Sequence, residues 1–147
     1  MTFGEEIENE IKEFINKIGN IHYHSDSNYG VEYLNNNFRF LGTKIDLSKE
    51  KNYVSYDFKK NNFLDMIKFF EFKDIKENIL ASNEIHYVGD GITNSELVFS
   101  GKEFFKLLEF LFVNIPEHHY FFDMEKKWCL LIATEGWIDY GEKSIEI

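Results

Sequence analysis

The sequence predicts an α+β domain with a mainly antiparallel sheet. Three observations carry that expectation. An amphipathic helical run opens the chain, strand-length apolar stretches joined by very short links close it, and between them lies a helix that is apolar almost all round. The 147 residues fit one domain, residues 1–147. Such a chain buries roughly two thirds of its unfolded surface, enough for a core without staples. Sixteen Phe, eight Tyr and two Trp make that core aromatic.

The N-terminal helix is read from Thr2 and Glu5, spaced as in a capping box, with further acids in the first turn. Phe3, Ile7, Ile11, Phe14, Ile15 and Ile18 recur at helical spacing, and Gly19-Asn20 stops the run. Residues 21–60 read as mostly β and irregular. "IHYHS" and "NYVSYDF" alternate, while "VEYLNNNFRFLG" suits either a strand pair or a helical turn. "NNFLDMIKFFEF" reads as a short helix capped by Asn61 or Asn62, and "DIKENIL" as a second. "EIHYVG" and "ELVFS" form a strand pair around the "GDG" turn. Ser100 is placed to cap the buried helix near residues 101–115, whose polar stripe is Lys102, Glu103, Lys106 and Glu109. Three strands follow, about 118–123, 127–134 and 137–141. Their short links imply a meander, and "WCLLIAT", apolar on both faces, implies cover on both sides.

Charge is unevenly spread within the net −10. Residues 1–43 carry seven acids and three bases, residues 44–76 six acids and eight lysines, and residues 77–147 thirteen acids and five lysines. That field disfavours nucleic acid as a partner, because phosphate binding draws on Lys and Arg. It favours a basic protein partner drawn in by electrostatic steering. The N-terminus is acidic where a secretory signal is basic and then apolar, the longest greasy stretch is too short for a membrane span, and Cys129 has no disulfide partner. The expected compartment is the cytoplasm.

Histidines are the first place to look for chemistry. His118 and His119 would point to opposite faces of a strand, and His119 and Asp123 would stand roughly 13 Å apart on one face. Neither pair makes a site. His22 and His24 are better placed, on one strand face about 6.5 Å apart, with Asp26 beyond and His86 as a third ligand from elsewhere. A small metal- or ligand-dependent enzyme built on His22, His24 and His86 is therefore the rival to a binding function. The stretch "YVGDGITNSEL" resembles the Gly-Asp-Gly loop of haloacid-dehalogenase-like phosphatases. However, the chain has no Asp-x-Asp nucleophile motif for Asp90 to assist. Nucleophile-elbow, phosphate-loop and dinucleotide motifs are missing as well. Cys129, inside a buried strand, reads as inert packing. The expectation is no enzyme, no metal and no cofactor.

Over residues 84–141 the succession "YVGDG", "ELVFSGKEFFKLLEFLF", "PEHHYFFD", "WCLLIATEG" and "WIDYG" resembles small bacterial immunity-type proteins of polymorphic toxin systems. The resemblance implies tight binding to a cognate toxin protein, with no membrane or nucleic acid involved. Glu135, Trp137, Asp139 and Tyr140 combine acids with aromatics near a sheet edge, and Asp123 and Glu125 are assigned with them to the partner-binding face. Acids of the first helix, such as Glu6, Glu10 and Glu13, form a rival surface. A homo-oligomeric structural protein, for instance a homodimer pairing through its aromatic edge, is the third reading.

Overall fold

Alternating side chains along seven strands divide the interior of this protein into two cores. In the computed structural model, residues 2–143 are described. The sheet runs β1(His22–His24), β6(Glu96–Phe99), β5(Ile85–Gly89), β7(His119–Asp123), β8(Trp128–Ala133), β9(Trp137–Glu142), β4(Lys51–Asp57), with every neighbouring pair antiparallel. The expected α+β architecture is present. One face carries Tyr87, Leu97, Phe121, Leu130 and Ile138 against the helices, forming the larger core. The other face carries Val88, Tyr120, Phe122, Cys129 and Leu131, forming a smaller one. Both sides of β8 are therefore buried along its length, as its unbroken apolar run predicts.

Helix α1(Phe3–Ile18) follows its pattern: Thr2 caps it by accepting the Glu5 N–H at 3.1 Å, and Ile7, Ile11 and Ile15 are buried. Phe3, placed on the apolar face by its spacing, is instead exposed beside the cap. Asn62 caps α3(Phe63–Met66), which runs through a 3-10 turn, Ile67–Glu71, toward α4(Lys73–Leu80). The apolar helix begins with a 3-10 turn at Gly101–Glu103 and continues as α5(Phe104–Asn114), with Phe104, Leu107, Leu108 and Leu111 buried. Ser100 stands at its start without lending a side-chain cap.

One expectation is corrected. Asn28–Asn37, read as part of a mostly β stretch, is a helix, α2. It lies across the smaller core through Leu34, and Phe38 just beyond it joins the same cluster. Its sequence holds Gly, Val, Tyr and four Asn, all weak helix formers. Tertiary contacts, not propensity, keep it helical. A two-stranded hairpin, β2(Phe40–Leu41) and β3(Lys44–Ile45), follows it.

Candidate functional site

Two flanks of the sheet face that α2 covers remain open, one at each end, and each holds residues that the sequence singles out.

At the β9 end, Trp137 is half-buried and Glu135 exposed. Lys44 of the hairpin joins them: its Nζ lies 2.7 Å from Glu135 Oε2 and 5.4 Å from the centre of the Trp137 ring. The Lys44 contact holds the Glu135 carboxyl below its ordinary pKa. Lys44 pairs in register with Leu41, and the hairpin leaves Phe40 exposed and Leu41 70 % exposed. Next to Trp137 stand Asp57 on β4 and Asp139 on β9. Ser55 Oγ donates to Asp139 Oδ1. Burial, reinforced by the nearby charges of Asp57 and Asp46, keeps the Asp139 carboxyl above its usual pKa despite that bond. Asp57 is exposed and has no ion-pair partner among the described residues. This is an apolar and aromatic surface with one exposed acid unpaired among the described residues, Asp57, beside the Lys44–Glu135 pair.

The six residues expected to bind a partner do not all reach it. Glu135 and Trp137 reach this surface, whereas Asp139, at the same end, is buried. Tyr140 points the other way, 1 % exposed in the larger core, donating to Glu142 Oε2 at 2.7 Å and accepting from Asn78. Asp123 is buried, and its Oδ1 accepts the N–H groups of Glu125 and Lys126 at 2.9 Å each. It builds the β7–β8 turn. Glu125 is exposed on that turn, but the turn lies at the far end of β8, roughly 20 Å from Glu135 for a six-residue strand. Sequence reasoning missed Phe40 and Leu41. Their signal was "FRFLG", apolar residues running into a glycine turn.

At the β1 end, His22, His24 and His86 do line one pocket, with Asp26, Tyr29, Glu84 and Glu96. His22 and His86 flank Val98 in register, and His24 sits beside Glu96. His86 is already engaged: Nδ1 meets Glu96 Oε2 at 2.6 Å and Nε2 meets Glu84 Oε1 at 3.0 Å, while the ring stacks on Phe122. Burial opposes its charge, but the bonds and charges of Glu96 and Glu84 outweigh burial, so its pKa is raised. The other oxygen of Glu96 accepts the Gly30 N–H at 2.8 Å, near the start of α2. The cluster ties β5, β6 and α2 together. Among the described residues no group of three or more His, Cys, Asp and Glu is arranged to hold a metal ion.

The remaining suspects are structural. His119 is buried, with Nδ1 2.7 Å from the Tyr87 hydroxyl, and His118 accepts the Thr134 N–H at 3.1 Å. The "GDG" loop is held from beneath: Glu117 accepts from Ile92 N, Thr93 N and Thr93 Oγ1, and Glu8 accepts from Asn94 N and Ser95 N. A Cβ at Gly89 would lie 1.8 Å from Glu117 Oε1, so any side chain there has to displace this clasp. Cys129 is fully buried, and burial pushes its thiol pKa far up. No helix among the described residues is long and apolar enough to cross a membrane. No protein-family model, curated protein or solved structure matches the chain significantly.

Proposed function

We propose that this chain is a cytoplasmic, non-enzymatic protein-binding domain, of the immunity type that neutralises a cognate basic toxin by covering it. The observation that carries the reading is the surface at the β9 end. Trp137 and Glu135 are braced by Lys44, exposed Phe40 and Leu41 lie on the adjoining hairpin, and Asp57 carries an uncompensated charge beside them. Aromatic and apolar anchors inside a charged border are the usual anatomy of a protein interface. The net charge of −10 supports a basic partner. The resemblance of residues 84–141 to immunity-type proteins supports a toxin as that partner.

The test is affinity capture from the source organism with the wild-type chain and a Trp137→Ala/Glu135→Lys double variant. Wild type should retain one stoichiometric basic protein, toxic when expressed alone, and the variant should lose it at a nearly unchanged thermal midpoint. Equal capture by both chains would show that this surface is not the interface.

A second reading, a small-ligand site or enzyme on the opposite flank, is favoured by the convergence of His22, His24 and His86 on one pocket. Native mass spectrometry decides it. A stoichiometric bound metal or small molecule lost in a His22→Ala/His24→Ala variant supports it, and a ligand-free chain removes it.

A further inference from the structure

An edge strand leaves half of its backbone hydrogen-bonding groups to solvent, and proteins usually blunt such an edge with short strands, lysines or prolines. The two edges here are treated differently. β1 is only three residues long. β4 is seven residues long, is interrupted by a bulge between Lys51 and Val54, runs in regular register over Val54–Asp57, and pairs only with β9 among the described residues. The Phe58 N–H donates to the Gly136 carbonyl at 2.9 Å. Because antiparallel pairs alternate, the N–H and C=O groups of Ser55 and Asp57 point away from β9. The five residues Tyr53–Val54–Ser55–Tyr56–Asp57 contain no lysine and no proline. Lysines stand only outside them, at 51, 59 and 60.

The two sides of this open edge differ in chemistry. On the helix side a groove is lined by Val54, Phe72 and Ile75, with Phe72 48 % exposed, and also by the charged side chains of Lys73, Asp74 and Glu142. On the other side lies exposed Asp57, without an ion-pair partner among the described residues, while Asp139 on the adjoining strand is buried and bonded to Ser55. An extended chain laid along β4 would alternate its side chains between these two surfaces.

We propose that the partner supplies an extended segment that joins the sheet as an eighth strand along Val54–Asp57, with apolar side chains in the Phe72 groove and a Lys or Arg side chain over Asp57. This deepens the protein-binding reading and rests on it for the partner's basic charge. A second copy of the chain suits the edge less well. Antiparallel self-pairing centred on Ser55 sets Lys51 against Lys59 and brings together two chains of net charge −10.

The experiment uses the full-length ¹⁵N-labelled chain and a synthetic heptapeptide of alternating valine and lysine, followed by amide shifts and hydrogen exchange. At saturation, exchange at Ser55 and Asp57 should slow at least about tenfold, and the same peptide N-methylated at alternate backbone nitrogens should give no slowing. Ser55→Pro removes an outward N–H that no β9 backbone bond needs, together with the hydroxyl that Asp139 accepts, so it should keep the backbone pairing with β9 and abolish the protection at Asp57. Ser55→Ala removes only the hydroxyl and should retain it. Shifts at Trp137 with no slowing at Ser55 or Asp57 would overturn strand addition while leaving the acidic interface standing. Equal binding of the N-methylated peptide, or a concentration-dependent dimer in which Ser55 and Asp57 are the protected amides, would also overturn it.

Discussion

His119 is kept neutral by its surroundings, and this sets how the protein responds to acid. Burial drives its pKa from 6.5 down to about 3. As pH falls below 6.5 the unfolded chain takes up a proton at this site, and the folded chain does not until near 3. The stability is therefore present above pH 6.5 and lost as pH falls, by up to about 1.4 kcal/mol per pH unit. A His119→Gln variant should show a flatter decline between pH 6.5 and 4 in denaturant titrations, and parallel curves would contradict this. His86 has the opposite sign, because its folded pKa is raised. Its contribution is complete below 6.5 and fades as pH rises through the raised value, so the deficit of a His86→Gln variant should shrink in the same titrations above neutrality. At Gly89 a methyl group meets the Glu117 carboxylate. Gly89→Ala should cost about 1–3 kcal/mol of stability, seen as a lower denaturant midpoint, and an unchanged midpoint would show that the Glu117 clasp yields freely.

Helix α2 is where element-scale reasoning from sequence falls short, and the reason is physical. Periodic apolar residues with a cap announce α1, and a run apolar on both faces announces β8. Asn28–Asn37 has neither a side-chain cap nor strong helix formers. It is held by Leu34 in the smaller core and by the Gly30 N–H on Glu96, contacts that span 66 residues in the latter case. Contacts of that range depend on strand register, which local pattern does not contain. Likewise, alternation separates His118 from His119, but the Tyr87 partner of His119 and the Glu117 and Glu8 clasps on the "GDG" loop come from across the sheet or from other elements. Of the expected interface, Glu135 and Trp137 gather with the hairpin, while Asp139 is buried beside them, Tyr140 turns into the larger core and Asp123 is absorbed into its own turn. Gly30→Ala separates propensity from packing. Alanine favours a helix by up to about 1 kcal/mol over glycine, but here its Cβ would lie 2.4 Å from Glu96 Oε1. The packing term should win, so the variant should unfold at a lower temperature. A raised midpoint would show that α2 is not anchored through Glu96.

Across the whole molecule, the two open flanks of one sheet face are unequal. The histidine flank is tied internally by carboxylates, whereas the Trp137 flank presents exposed apolar side chains and, among the described residues, an acid without an ion-pair partner and a strand edge without a neighbour. A net charge of −10 adds long-range attraction for a basic partner. The association rate with that partner should accordingly fall steeply with salt while dissociation changes little. A salt-independent on-rate would remove steering from the account. The most direct test of the central claim is zero-length carbodiimide cross-linking of the chain in extracts of its own organism, with the linked peptides mapped by mass spectrometry. Carboxylate-to-lysine links to one partner through Glu135 or Asp57 are the expected result. Links confined to Glu6, Glu10 and Glu13 of α1 would contradict it and move the interface to the opposite side of the molecule.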